Sequence, residues 1–224
     1  YTVDLLGCGR SDKSSITYTN FVYVQMISDF IKKIIGQKTD VIASGFSGSF
    51  VTMACHNEKE LFNKIMLVNP PSLTQLKQMP NRKDRLLKAA LEIPIFGTLV
   101  YHMIVSRDNI NNLFIEKMYY NPFHVDNQMA DAYYEAAHKG GYYTRFLYSS
   151  LAAKYININI CHALKALDNS IYIVEGETEP NGKAVTDDYC ASNPAIEVFV
   201  LKETKHLPHV EAPEAFLEQV KIFF

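Results

Sequence analysis

The sequence predicts an α/β protein, a mostly parallel sheet flanked by helices and interrupted by a long helical segment. Three observations predict it. Short apolar runs alternate with helical patterns through residues 19–71 and again through 170–224. Between them, residues 72–169 carry helical spacing and no clear strand. And residues 40–55 read as strand, tight turn of small residues, then helix. Alternation of this kind builds a parallel sheet, because each crossover must carry the chain back over a face.

Taken in order, Tyr1-Thr-Val-Asp-Leu-Leu6 is strand-like and Gly7 to Asp12 is a loop. A buried strand at residue 1 leads to the expectation that upstream sequence is missing and that this is an N-terminally incomplete version of a longer protein. Residues 19–35 read as an amphipathic helix. Thr19 is its cap, Phe21, Val24, Ile27, Ile31, Ile34 and Ile35 its apolar face, and Gly36 its stop. Val41 to Ala43 is the next strand. Gly45-Phe-Ser-Gly-Ser49 turns, and Phe50 begins a helix that ends near Asn57. Ile65 to Val68 is a strand closed by Asn69-Pro-Pro71.

The helical segment holds patterns at Arg82–Leu91, Leu99–Val105, Asn109–Met118, Asn127–His138 and Tyr142–Lys154. It is dense in Tyr and Phe. We read residues 72–169 as a cap inserted into a core made of 1–71 and 170–224. The functional expectation is a lid lining an apolar pocket; the simpler one is that its rings pack the cap together. Ser170 to Val174 returns to strand, an acidic loop spans Glu175 to Gly182, and Ala184–Ala191 is helical. Ala195–Leu201 is the last strand. A loop carrying His206 and His209 leads to a final helix opened by Pro213.

Composition narrows the function classes. With 224 residues, 48% hydrophobic and 21% charged, the chain suits one globular domain with an insertion. A net charge of −2 gives no reason to expect nucleic acid or a membrane surface as partner. No apolar run is long enough to span a bilayer. Cys8, Cys55, Cys161 and Cys190 form no C-x-x-C pair. They read as reduced and mostly buried, which places the protein in the cytoplasm. No ligand spacing for a metal and no cofactor motif is present, so none is expected.

The chemistry is concentrated in three places. A strand–turn–helix centred on Ser47 reads as a nucleophile elbow, with small residues Gly45 and Ser49 on either side of a strained serine. The helix N-terminus behind it offers unpaired N–H groups to an oxyanion, Gly48 N–H first among them. Such pentapeptides also arise by chance, and small residues fill tight turns without catalysis. A serine hydroxyl needs a base, and the base an orienting acid, in chain order Ser, acid, His on loops after strands. Only His206 and His209 lie on the right loop, and His206 is nearer the strand. Glu179 is the favoured acid among Glu175, Glu177, Asp187 and Asp188, because it lies far enough out to reach an imidazole.

Val3 to Asp12, Gly45 to Ser49, Val174 to Glu179 and His206 to Phe216, in that order, resemble the capped, serine-nucleophile members of the α/β-hydrolase fold superfamily, the esterases and C–C hydrolases. The resemblance covers nearly the whole chain, most specifically at the histidine loop. Glu179 stands where those proteins usually have Asp, and Ser49 where they usually have Gly. It implies a serine hydrolase acting on a small, largely apolar acyl substrate: Ser47 attacks, His206 moves the proton, Glu179 orients it, and Gly48 N–H holds the oxyanion. The second oxyanion donor of such proteins comes from a loop before the segment where this chain starts. C–C cleavage and acyl transfer remain open, as does a non-catalytic small-molecule-binding protein on the same fold, or a protein-interaction module using the cap.

Overall fold

The computed structural model describes residues 1–224. Four strands form one sheet in the order β1-β2-β3-β4, with every neighbouring pair parallel. They are β1 (Thr39–Ser44), β2 (Phe62–Val68), β3 (Ile171–Gly176) and β4 (Glu197–Leu201). Register aligns Ser44 with Val68, Val68 with Val174, and Val174 with Phe199. The carboxyl ends of all four strands therefore meet at one edge of the sheet. This fixes where the loops that follow them can act.

Side-chain alternation separates the core into two faces. Ala43, Ile65, Leu67, Ile171 and Ile173 point into one cluster of 23 buried residues. That face is covered by α1 (Asn20–Phe30), α2 (Phe46–Asn57), α9 (Cys161–Ala166) and α10 (Gly182–Ser192), which contribute Tyr23, Phe50, Leu164 and Tyr189. Met66, Val68, Tyr172 and Val174 point the other way, against Phe216 of α12 (Pro213–Phe223). A third cluster joins Ile110, Phe114 and Tyr119 of the inserted segment to Leu207 beside the histidine loop.

Two expectations near the N-terminus are corrected. Residues 1–6 are irregular, not a strand. They pair with no neighbouring backbone, and Asp4 instead folds the segment on itself by accepting hydrogen bonds from Arg10 N–H (2.8 Å) and Ser11 Oγ (2.6 Å). The first helix buries Tyr23, Val24 and Ile31, while Phe21 and Ile34 are exposed. Its last turn, Ile31–Ile35, is π-helical, and the five-residue spacing rotates Ile34 out of the stripe. Thr19 precedes the helix but its side chain makes no capping bond. Gly36 ends it with φ 71°, as a left-handed terminator should.

Between β2 and β3 the chain is helical: α3 (Leu73–Leu76), α4 (Arg82–Glu92), α5 (Pro94–Ile104), α6 (Arg107–Leu113), α7 (Asn127–His138), α8 (Thr144–Ala152) and then α9. α4 opens with a capping box between Asn81 and Asp84. α9 is too short for its periodicity to stand out in the sequence. The rings of this segment pack on one another, as in Phe114 against Tyr133 at 5.0 Å and Tyr101 against Tyr148 at 5.9 Å. Of the four thiols, all unpaired, only Cys55 is buried; Cys8 is exposed and the other two are half-buried. No single helix is long and apolar enough to cross a membrane.

Leu67 is fully buried, and its Cδ2 lies 3.1 Å from where a Cβ on Gly48 would stand, so it supports the turn after β1. Leu67→Ala should destabilise the protein by about 3 kcal/mol, through lost transfer energy and a cavity. Urea unfolding with an unchanged m-value checks it.

Candidate active site

The turn after β1 sits two residues earlier than the sequence pattern predicts. Gly45 has φ 57° and ψ −132°, and α2 begins at the next residue, Phe46. An L side chain rarely adopts that conformation, and it would cost about 1–3 kcal/mol at a serine. In this chain the residue that takes it is Gly45. Gly45 N–H donates to Val68 O at 2.9 Å, pinning the apex to the end of β2. The small residues two before and two after the apex are therefore Ala43 and Ser47.

This register changes what two expected residues do. Ser47 is the second residue of α2, half-buried, and its Oγ donates to Ser44 O at 2.6 Å. No hydrogen bond joins it to His206. Gly48 is buried, and its N–H donates to Gly45 O at 3.1 Å. The expected oxyanion donor is thus engaged inside the first turn, and the N–H that directly follows the apex is that of Phe46. The signal was present in the sequence. The apolar run ends at Ala43, so a turn centred on Gly45 follows it more directly than one centred on Ser47.

His206 and Glu179, in contrast, are brought together. His206 Nδ1 lies 3.1 Å from Glu179 Oε1 and 3.2 Å from Oε2. A carboxylate accepts, so Nδ1 carries the hydrogen and Nε2 the lone pair. Glu179 stands in a turn in which its own N–H donates to Gly176 O and its carbonyl accepts from Gly182 N–H, both at 3.0 Å. His209 is close by on α11 (Pro208–Glu211), its ring 5.8 Å from Phe216. Burial, with His206 adding to it, holds its pKa below the ordinary histidine range.

Asn69 holds this arrangement, and the sequence reading passed over it. Its Nδ2 donates to Lys205 O (2.8 Å) and His206 O (2.9 Å), while its Oδ1 accepts from Gly176 N–H (3.0 Å). One amide thus ties the end of β2, the end of β3 and the histidine loop. Asn69 has φ 43°, which Asn tolerates better than most residues. Its place between a strand and two prolines was the available clue. Gly176 completes the junction, since a Cβ there would stand 1.9 Å from Lys205 O.

A cavity of about 390 Å³ opens over these loops. Gly45, Phe46, Asn69, Glu175, Glu179 and His206 line it, with Pro70–Ser72, Gln75, Pro180–Gly182, Val185 and Thr186. Ser47 does not. Phe46 and Val185 are its two hydrophobic walls, and no cap aromatic reaches it. The apolar, ring-lined pocket expected from the sequence is absent here. The wall is mixed, its polar side chains coming from Asn, Gln, Ser, Thr, Glu and His of the loops that close it.

Residues 1–219 match a family described as the alpha/beta hydrolase family. The chain belongs to this family. No curated protein matches it. Among solved structures, the alpha/beta hydrolase chain is similar to a bromoperoxidase from Bacillus anthracis (TM-score 0.74, 11% identity, covering 98% of this chain and 79% of that one). It is similar to 2-hydroxy-6-oxo-6-phenylhexa-2,4-dienoate hydrolase from Rhodococcus sp. strain RHA1 (0.74, 16%, 99% and 78%). It is also similar to a thermophilic esterase from Thermogutta terrifontis (0.71, 12%, 98% and 76%). At such identities the likeness is one of fold.

Asn69→Ala removes three hydrogen bonds at once. It should lower stability by about 2–3 kcal/mol and release the His206 loop. Loss of the downfield His206 Nδ1 proton resonance, in a protein that still folds, is the expected reading.

Proposed function

We propose that the protein hydrolyses an ester or related acyl bond of a small molecule held in the His206 cavity, with His206 as general base and without a serine acyl-enzyme. The observation that carries this reading is the contrast at the apex. Gly45 offers no side chain there, while the His206–Glu179 pair stands assembled on the same cavity.

In this mechanism Nε2 of His206 accepts a proton from water as the water oxygen bonds to the acyl carbon. Glu179 fixes the tautomer and stabilises the imidazolium. The carbonyl electrons move onto oxygen, which faces Phe46 N–H and the positive end of α2. Collapse breaks the bond to the leaving group, and His206 returns the proton to it. The dienoate hydrolase and esterase likenesses support including both C–C and ester substrates in the search, and acyl acceptors other than water use the same base.

A second reading keeps Ser47 as nucleophile in a triad with His206 and Glu179, as the sequence pattern expects. Its support is that Ser47 is half-exposed at the N-terminus of α2. It requires Ser47 Oγ to leave Ser44 O and turn to His206. A third, the non-catalytic binding protein, is supported by the bare apex itself.

Labelling by a fluorophosphonate probe separates the first two. We expect no labelling of the wild type. Turnover on a panel of short acyl esters and vinylogous diketones should be indifferent to Ser47→Ala and fall by about 100-fold or more in His206→Ala. Labelling that disappears in Ser47→Ala would move the assignment to the triad, and ligand binding without any turnover to the binding protein. Gly45→Ser is the constructive arm. A Cβ at Gly45 meets nothing within 4 Å, so a hydroxyl fits there. This variant should lose about 1–3 kcal/mol of stability to backbone strain and gain labelling that depends on His206.

A further inference from the structure

The cavity wall carries a group for which the proposed mechanism has no use. Glu175, at the end of β3, is 5% exposed, and its Oε2 has no hydrogen-bond partner. It lines the cavity together with Glu179 and His206. Its Oε1 lies against Gly182, where a Cβ would stand 1.8 Å away, so any larger residue at 182 would push this carboxyl out of place. A buried carboxyl oxygen left unpaired is costly, and such groups persist where something else pairs them.

The charge around it is one-sided. The wall holds two carboxyl groups and neither a lysine nor an arginine. Lys205, next to His206 in the chain, points its ammonium to Glu116 O in the inserted segment. Burial, with Glu179 and Asp187 adding to it, pushes the Glu175 pKa up, and the Thr186 hydroxyl opposes part of that. A hydrogen-bond donor would pair this oxygen, and one that also carries positive charge suits a wall of two carboxyl groups without lysine or arginine.

We propose that the cavity takes a small molecule bearing an ammonium group, which Glu175 binds, and that acidic substrates are excluded. This deepens the reading of the His206 cavity as the substrate site and rests on it. A charge-assisted bond of this kind is among the strong ones, and an anionic ligand group would face two carboxyl groups and no lysine or arginine.

Three small probes of similar size test it: butylammonium, butanol and butyrate, titrated into the full chain and followed by ligand-observed NMR. Butylammonium should bind about tenfold or more tighter than butanol, and butyrate should not bind. Glu175→Gln, which keeps the shape and removes the charge, should erase the preference for the amine; Lys205→Met, whose ammonium is turned away, should leave it. Equal binding of all three probes, a preference for butyrate, or an amine preference that survives Glu175→Gln would each overturn the proposal, and the wild-type series does so even if the variant fails to fold. Because binding is read apart from turnover, the two readings fail separately. An amine preference with turnover indifferent to His206→Ala leaves Glu175 in its role and removes the general base. His206-dependent turnover without the preference does the reverse.

Discussion

The site depends on a single amide side chain at the end of the second strand. A parallel sheet delivers its carboxyl ends to one edge, but it does not decide how the loops beyond them meet. Here Asn69 does so. It accepts the N–H of Gly176, the buried last residue of β3, and gives both of its own hydrogens to the carbonyls of Lys205 and His206. These groups are removed from water, where an unmade hydrogen bond costs more than a made one gains. The arrangement is therefore enforced by satisfaction of backbone groups. Gly176 makes it possible sterically, because the histidine loop lies against its α-carbon.

The turn after β1 follows a different rule, that of backbone strain. The conformation needed to leave a strand and enter a helix within one residue is cheap for glycine and expensive for serine. Here the register puts the glycine, not a serine, in that conformation. The consequence is chemical. The helix still presents its N-terminus to the cavity, and the histidine and glutamate still meet, but the residue carried at the apex has no side chain.

Much of the fold was legible in the sequence. The alternation of Val41–Ala43, Ile65–Val68, Ser170–Val174 and Ala195–Leu201 with helical patterns marks the sheet, because buried parallel strands read as continuous apolar runs. The pairing of His206 with Glu179 was legible too, since both stand just beyond strand ends. What was not legible depends on space. Residues 1–6 have strand-like composition, yet a strand exists only where another backbone accepts its hydrogen bonds. The G-x-S-x-S match around Ser47 counts residue types and not the one position that must have positive φ. The density of Tyr and Phe in the inserted segment indicated aromatic packing, but gave no indication that the rings turn to each other and leave the cavity to polar loops. Asn69 and Glu175 carry no periodicity at all, and their importance comes from what surrounds them.

The histidine loop has a second set of attachments, and they run to the insert. His206 N–H donates to Met118 O at 3.1 Å, and the carboxylate of Glu211 accepts from Lys205 N–H on one side and from Tyr120 N–H on the other. Leu207 packs into the cluster of Ile110, Phe114 and Tyr119. The imidazole is thus suspended between two bodies, the sheet beneath and the helical insert above. Mechanically the helical segment between β2 and β3 braces the loop. Displacing that segment would strain the same peptides that aim the ring, so the placement of the imidazole is mechanically coupled to it.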